Sequence, residues 1–234
     1  MTAAAMLLLN HFFVTPSRET FDAVWASEFV QNDLGAVEKR TTVRKDRTYT
    51  GLYLYGEDTY LELLHPDSNL GAPSGIAWHG RIGEPELVYR GDAPWFLMSN
   101  AEPKLAGLAD WGMEYVEEFF QRFHPELPPA RPGTSRSDAL TRYAASCGKL
   151  RERSEGLFED VAALEVSLSP ADLISWQTRA ARFEDIEIRI TPAERTAITA
   201  ARLELRRDAG RGERKLGTTT LSLDGRTAVW RFEE

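Results

Sequence analysis

Apolar positions along the chain come in short runs whose period changes from segment to segment. Leu7 to Val14 is almost wholly apolar and is punctuated by Pro16 and Ser17, which predicts a buried strand followed by a helix start. Phe21, Val24, Trp25 and Phe29 then recur at helical spacing, with Ser17 as N-cap and Gly35 as the stop. Three extended stretches follow, over about 37–45, 48–55 and 59–64, the last two joined by a turn at Gly56-Glu57-Asp58. The order repeats near the C-terminus. Val161 to Leu168 predicts a strand, Ser169-Pro170-Ala171-Asp172 opens a helix to about Phe183, and extended segments span 197–207, 217–223 and 227–232. Asp224-Gly225 marks a hairpin between the last two.

The two openings superpose without a gap, so that His11 lies on Glu165 and Pro16 on Pro170. The closing hairpins superpose only if the second half is longer, with the extra length in 184–195 and Glu62 lying on Trp230. Between the halves, GIAWHG and PWFLMS read as short strands, and LADWGMEYVEEFFQRF spaces Leu108, Trp111, Tyr115 and Phe119 as a helix. A second helix is predicted from a cap at Ser135–Asp138, with Leu140, Tyr143, Ala144 and Cys147 on one face. The expected layout is one compact domain: 1–100 as a first module with following strands, 101–157 as a helical insertion, and 158–234 as a second module. The charged stretch RRDAGRGERK reads as a solvated loop.

Composition narrows the partners. A net charge of −8 argues against nucleic acid or an anionic membrane surface as the main partner. No apolar run is long enough to span a bilayer, and the N-terminus lacks the basic region of a signal peptide. The lone Cys147 excludes an internal disulfide and fits a reducing cytoplasm. No phosphate-binding glycine loop, Gly-x-Ser-x-Gly elbow, paired-cysteine zinc motif or dinucleotide fingerprint is present, so no nucleotide cofactor is expected.

The candidate chemistry lies in ionisable residues set into apolar strands. Residues two apart share a strand face. Leu9, His11 and Phe13 then share one face, with Leu8, Asn10, Phe12 and Val14 on the other, under the helix. Glu62 shares a face with Tyr60 and Leu64, Glu165 with Ala163 and Ser167, and Trp230 with Ala228 and Phe232. Each has a structural alternative. His11 can be a core histidine bonded to a neighbouring backbone group, Glu165 can pair with an arginine such as Arg202, and Trp230 can be a core aromatic or a pocket wall. Tyr60 can serve sheet packing or donate a hydrogen bond, and Tyr115 can belong to an amphipathic helix or cover a cavity. His79 is a candidate acid or base, although a lone histidine at a loop edge usually has no such role.

Two strand–helix–three-strand modules, opened by LNHFFV and closed in the first by TYLELL, resemble the vicinal oxygen chelate superfamily, the glyoxalase-like proteins, and within it an uncharacterised glyoxalase-like branch. The resemblance is good over 7–66, weaker over 161–232 and absent over 101–157. It implies an α+β fold in which two βαβββ modules form a pseudo-symmetric half-open barrel. It also implies metal ligands on the first and fourth strands of each module, at His11, Glu62, Glu165 and Trp230. Three of these are competent ligands and Trp230 is not. The implied function is a small-molecule enzyme using a divalent metal (Zn, Fe, Mn, Ni or Co) on His11, Glu62 and Glu165 to polarise an oxygenated substrate, in isomerase, lyase or dioxygenase chemistry. Tyr60, His79, Tyr115 and Trp230 would contact the substrate. The rival readings are a non-catalytic binding or sequestration protein of the resistance type, and a metal-free enzyme using His11 and a carboxylate directly. Modules of this family can pair between chains, so a homodimer is among the expectations.

Overall fold

The computed structural model describes residues 6–68, 70–123, 140, 155–178, 182–183 and 185–232. Mixed α+β and mostly strand, the chain forms two sheets. The first runs through β1 (Met6–Val14), β2 (Ala36–Val43), β3 (Thr48–Tyr55), β4 (Tyr60–Leu64), β5 (Ser74–His79), β6 (Glu86–Arg90), β7 (Ala93–Asn100) and β8 (Leu108–Tyr115), in the order β2-β3-β4-β1-β5-β8-β7-β6. This eight-strand path curls into a half-barrel. Its two edges touch at one place, where Arg44 bridges Arg90 and the Gly91 N–H donates to the Val43 carbonyl at 3.0 Å. The second sheet contains β9 (Phe158–Leu168), β11 (Glu187–Pro192), β12 (Ala197–Leu205), β13 (Arg211–Leu216), β14 (Thr219–Asp224) and β15 (Thr227–Arg231), in the order β11-β9-β12-β15-β14-β13. The two-residue β10 (Arg182–Phe183) leaves this half of the chain to pair with the start of β1. The helices are α1 (Arg18–Ala26), α2 (Glu117–Phe123) and α3 (Pro170–Gln177), and among the described residues no helix is long and apolar enough to cross a membrane.

The main core lies between the sheets. It joins Leu7, Leu9, Phe12 and Val14 of β1, Leu61 and Leu63 of β4, and Ile76 and Trp78 of β5 to Leu164 and Val166 of β9 and Leu203 of β12. Phe21 and Val24 of α1 enter the same cluster. The other face of the first sheet, its hollow, carries a separate aromatic cluster that includes Tyr53, Tyr55, Tyr60, Trp95 and Phe96. Polar bolts hold the sheets in register. Asp160 of β9 accepts from the Asp58 N–H, the Thr59 N–H and the Thr59 hydroxyl at 2.8–2.9 Å, pinning the β3–β4 turn. Asp172 of α3 accepts from the Ala106 N–H at 2.9 Å and the Thr196 hydroxyl at 2.5 Å. The Asp185 carboxylate accepts from the Leu9 N–H at 3.0 Å.

Each half opens with a strand and a capped helix, and in each the opening strand lies between a parallel and an antiparallel neighbour. However, β2 and β3 separate α1 from β4, whereas β11 follows α3 without such a pair. The strand beside β9 in the position of β4 is β11, which occupies the segment read from the sequence as extra length, so the register partner of Glu165 is Arg189 and Trp230 belongs to a different strand. Three further expectations change. LADWGMEY is strand β8, not helix. Its Ala109, Trp111, Met113 and Tyr115 alternate as well as its helical spacing repeats, and Gly112 weakens a helix while leaving room for the Gly80 carbonyl, which a Cβ there would meet at 2.4 Å. The helix from the Ser169 cap ends at Gln177. Arg211–Leu216 is an edge strand paired with β14, exposed from Arg211 to Lys215 and mostly charged, as sheet edges often are. The predicted cap at 135–138 and Tyr143, Ala144 and Cys147 lie outside the described residues.

Candidate functional site

A cavity of about 260 Å³ fills the hollow of the first sheet. The strand alternation builds it. β1 contributes His11 and Phe13, β4 contributes Tyr60 and Glu62, and β8 contributes Ala109, Trp111, Met113 and Tyr115. β7 adds Trp95, Phe96, Met98 and Asn100, while β2 and the turn after it add Arg40, Arg44 and Arg47. Six of the eight strands, β1 to β4, β7 and β8, line a space of the size that holds one small ligand.

His11 owes its place to a bulge. The pairing of β1 with β5 shifts register between Leu9 and His11. The added residue, Asn10, switches the side-chain alternation, so Leu7 and Leu9 share the core face with Phe12 and Val14, while His11 and Phe13 turn into the hollow. A straight strand would have set Leu9 beside His11. The same asparagine orients the ring: its side-chain oxygen lies 2.7 Å from Nδ1, so Nδ1 carries the proton and Nε2 presents its lone pair. Tyr60 stacks on the imidazole at 4.4 Å between centroids, and Trp111 meets it edge-on at 5.6 Å.

His11 Nε2 lies 3.6 Å from Glu62 Oε1, and both residues are buried. The geometry is that of an ion pair, but the charges are not. Burial, assisted by the positive field of Arg40, pushes the imidazole down to about 3. Burial pushes Glu62 up to about 8, against the opposing pull of Arg40 and a hydrogen bond from Tyr60. With these values no pH has both groups charged. Near neutrality an uncharged imidazole faces a protonated carboxyl, the outcome expected where desolvation outweighs pairing. Burial also raises the Tyr49 and Tyr53 hydroxyls, so they remain protonated.

The cations line one side. Arg40 Nη1 donates to Glu38 at 3.0 Å and to the Tyr55 hydroxyl at 3.2 Å, with its guanidinium 4.0 Å above the Tyr53 ring. Asp46 takes two hydrogen bonds from Arg44 and one from Arg47, and these partners hold its carboxyl below the usual range despite its partial burial.

Of the residues singled out from the sequence, His11, Glu62, Tyr60 and Tyr115 come together here. Three do not. Glu165 lies half-buried on the face of β9 opposite to Leu164 and Val166, across from Arg189 on the outer side of the second sheet. Trp230 is 1 % exposed inside the core, its Nε1–H donating to the Thr219 hydroxyl at 3.0 Å. His79 ends β5, half-buried and outside the cavity lining. The implied ligand set of His11, Glu62 and Glu165 is therefore divided between two sheets, and no group of three or more His, Cys, Asp or Glu able to hold a metal occurs among the described residues. One imidazole and one carboxyl beside the positive field of Arg40 do not fit that metal centre.

The roles of Asn10, the three arginines and the β7–β8 walls other than Tyr115 were not legible in the sequence. The arginines sit in KRTTVRKDR, whose alternation in β2 leaves Lys39, Thr41 and Val43 exposed and turns Glu38, Arg40 and Thr42 inward. A strand this polar resembles an exposed one.

Residues 9–83 match a family described as Family of unknown function (DUF5829), a span that holds His11, Glu62 and the three arginines but not β7 or β8. No curated protein and no solved structure matches the chain at a significant level.

Proposed function

We propose that this chain is a small-molecule-binding protein whose ligand lies in the hollow of the first sheet, without a metal. The observation that carries this reading is the cavity itself: eight of its nineteen lining residues are aromatic, and a buried, uncharged His11–Glu62 pair faces it. Ligand pockets combine apolar walls with a few fixed polar groups in this way. The pair presents an acceptor at Nε2 and a donor on the protonated carboxyl, so it can recognise a neutral polar group of the ligand.

A general base works best with a pKa near the working pH, and an imidazole held at about 3 is too weak a base to serve as one at neutrality, which favours recognition over base catalysis by His11. The strand and capped helix that open each half are what support a glyoxalase-like reading, and the resistance-type members of that superfamily offer a functional parallel.

Tryptophan fluorescence tests the reading, because Trp95 and Trp111 line the cavity. A panel of small aromatic compounds is titrated into the protein and into Ala109→Phe, which fills the hollow. Saturable quenching that Ala109→Phe abolishes, in a variant that melts as wild type does, is the expected result. The same quenching in both proteins, or none in either, overturns it.

A further inference from the structure

The cavity lining has a charge of its own. The protein as a whole carries −8, yet among the described residues the side chains that line the hollow include three guanidinium groups and a single carboxyl, Glu62. The nearby carboxylates do not match them. Glu38 serves Arg40, and Asp46 alone is divided between Arg44 and Arg47. These two arginines bring ten N–H donors, of which Asp46 takes three among the described residues. Arg44 and Arg47 follow β2 at the seam where the half-barrel's edges meet, one wall of a space whose other walls are aromatic. Arg44, only 15 % exposed, already shares Asp46 with Arg47, and that single carboxylate leaves the two guanidinium groups with a net positive charge at the rim of the cavity.

We infer that the ligand is a small aromatic acid, its ring system held between Tyr60, Trp111, Trp95 and Phe96 and its oxyanion met by Arg44 and Arg47. This inference rests on the binding reading above and specifies its ligand class. Guanidinium groups suit it because their paired N–H donors match the two oxygens of a carboxylate. Glu62 does not oppose it, since the buried carboxyl stays protonated near neutrality and repels no incoming anion. The neutral His11–Glu62 pair is left to bind a hydroxyl or carbonyl elsewhere on the same molecule.

The test uses 2-naphthoate and 2-naphthamide, which share a shape and differ in charge. Both are titrated by calorimetry into the full-length protein, into Arg44→Met/Arg47→Met, and into Asp46→Asn. The inference expects naphthoate to bind about tenfold tighter than the amide, or better. It expects that preference to shrink as salt is raised and to disappear in the double-methionine variant, whose substitutions lie in a turn and keep side-chain length. Asp46→Asn releases both guanidinium groups, so it is expected to tighten naphthoate several-fold and leave the amide unchanged. Equal binding of the two probes overturns the inference and leaves the binding reading standing. A naphthoate preference that survives the double substitution overturns the assignment to these arginines. Binding of neither probe to wild type counts against the cavity as a binding site, and the inference goes with it.

Discussion

Substituting Glu62 by glutamine removes a charge that the folded protein cannot hold, and the gain follows from the carboxyl's environment. Its folded value is about 8 against 4.5 in the unfolded chain. Below the unfolded value both states are protonated and the group contributes nothing. As pH rises past it, the unfolded chain ionises and is stabilised, while the folded one must keep its proton. The native state therefore loses about 1.4 kcal/mol per pH unit, until the folded carboxyl ionises and the loss levels off. With the carboxyl at about 8 folded and 4.5 unfolded, the loss is about 1 kcal/mol at pH 5, about 3 at pH 7 and about 5 at pH 9. Glutamine keeps the shape of the protonated acid and never ionises. Glu62→Gln is thus expected to be more stable than wild type by those amounts, a gain of roughly 6–12 °C in melting temperature at pH 7 for a chain of this size.

Urea denaturation followed by tryptophan fluorescence at these three pH values measures the difference directly. His11 does not confuse it. Its lowered folded value costs stability as pH falls through 6.5 toward about 3, and that cost is common to both proteins. A stability difference that does not grow with pH, or a variant less stable than wild type at pH 9, would refute the claim that Glu62 is buried and protonated.

Trp230→Phe is expected to lower stability by about 1–3 kcal/mol, through the lost bond to Thr219 and the space left behind, while ligand affinity stays within about twofold. A stable variant with weakened binding would return this tryptophan to the pocket. Asp185→Ala removes the acceptor for the Leu9 N–H, next to the bulge that aims His11, and is expected to weaken ligand binding about three- to tenfold with a smaller loss of stability, about 1 kcal/mol. Calorimetry and melting on the same preparation separate the two effects, and unchanged affinity would show that the bulge holds without this carboxylate.

Much of the first half was legible. Strands β1 to β4 and the Ser17 cap follow from alternation and turn residues, because β2, β3 and β4 pair as neighbours and the apolar faces are continuous. The convergence of His11 with Glu62 was implied only by the resemblance, since β1 meets β4 across a long sequence separation. The failures have separate physical causes. A bulge inserts one residue without changing composition, so the face of Leu9 was misassigned while that of His11 came out right. Trp111, Met113 and Tyr115 satisfy period two inside a segment that also satisfies the helical period, and only pairing with β5 and β7 decides between them. β11 carries exposed charged residues at alternate positions and looks like a loop, yet it takes the place beside β9. That one strand moved Trp230 away from the position assigned to it. Inward arginines cannot be told from outward ones until the sheet is seen to curl.

The strands of the half-barrel turn one side to the second sheet and the other to the hollow, with few residues serving both. Recognition and foldability are thereby written on opposite sides of the same ribbon. Mutational drift at Tyr60, Met98, Trp111 or Met113 can retune which compound is admitted while Leu61, Leu63, Ile76 and Trp78 go on securing the scaffold. A lineage built this way can diversify its ligands without re-solving its own architecture.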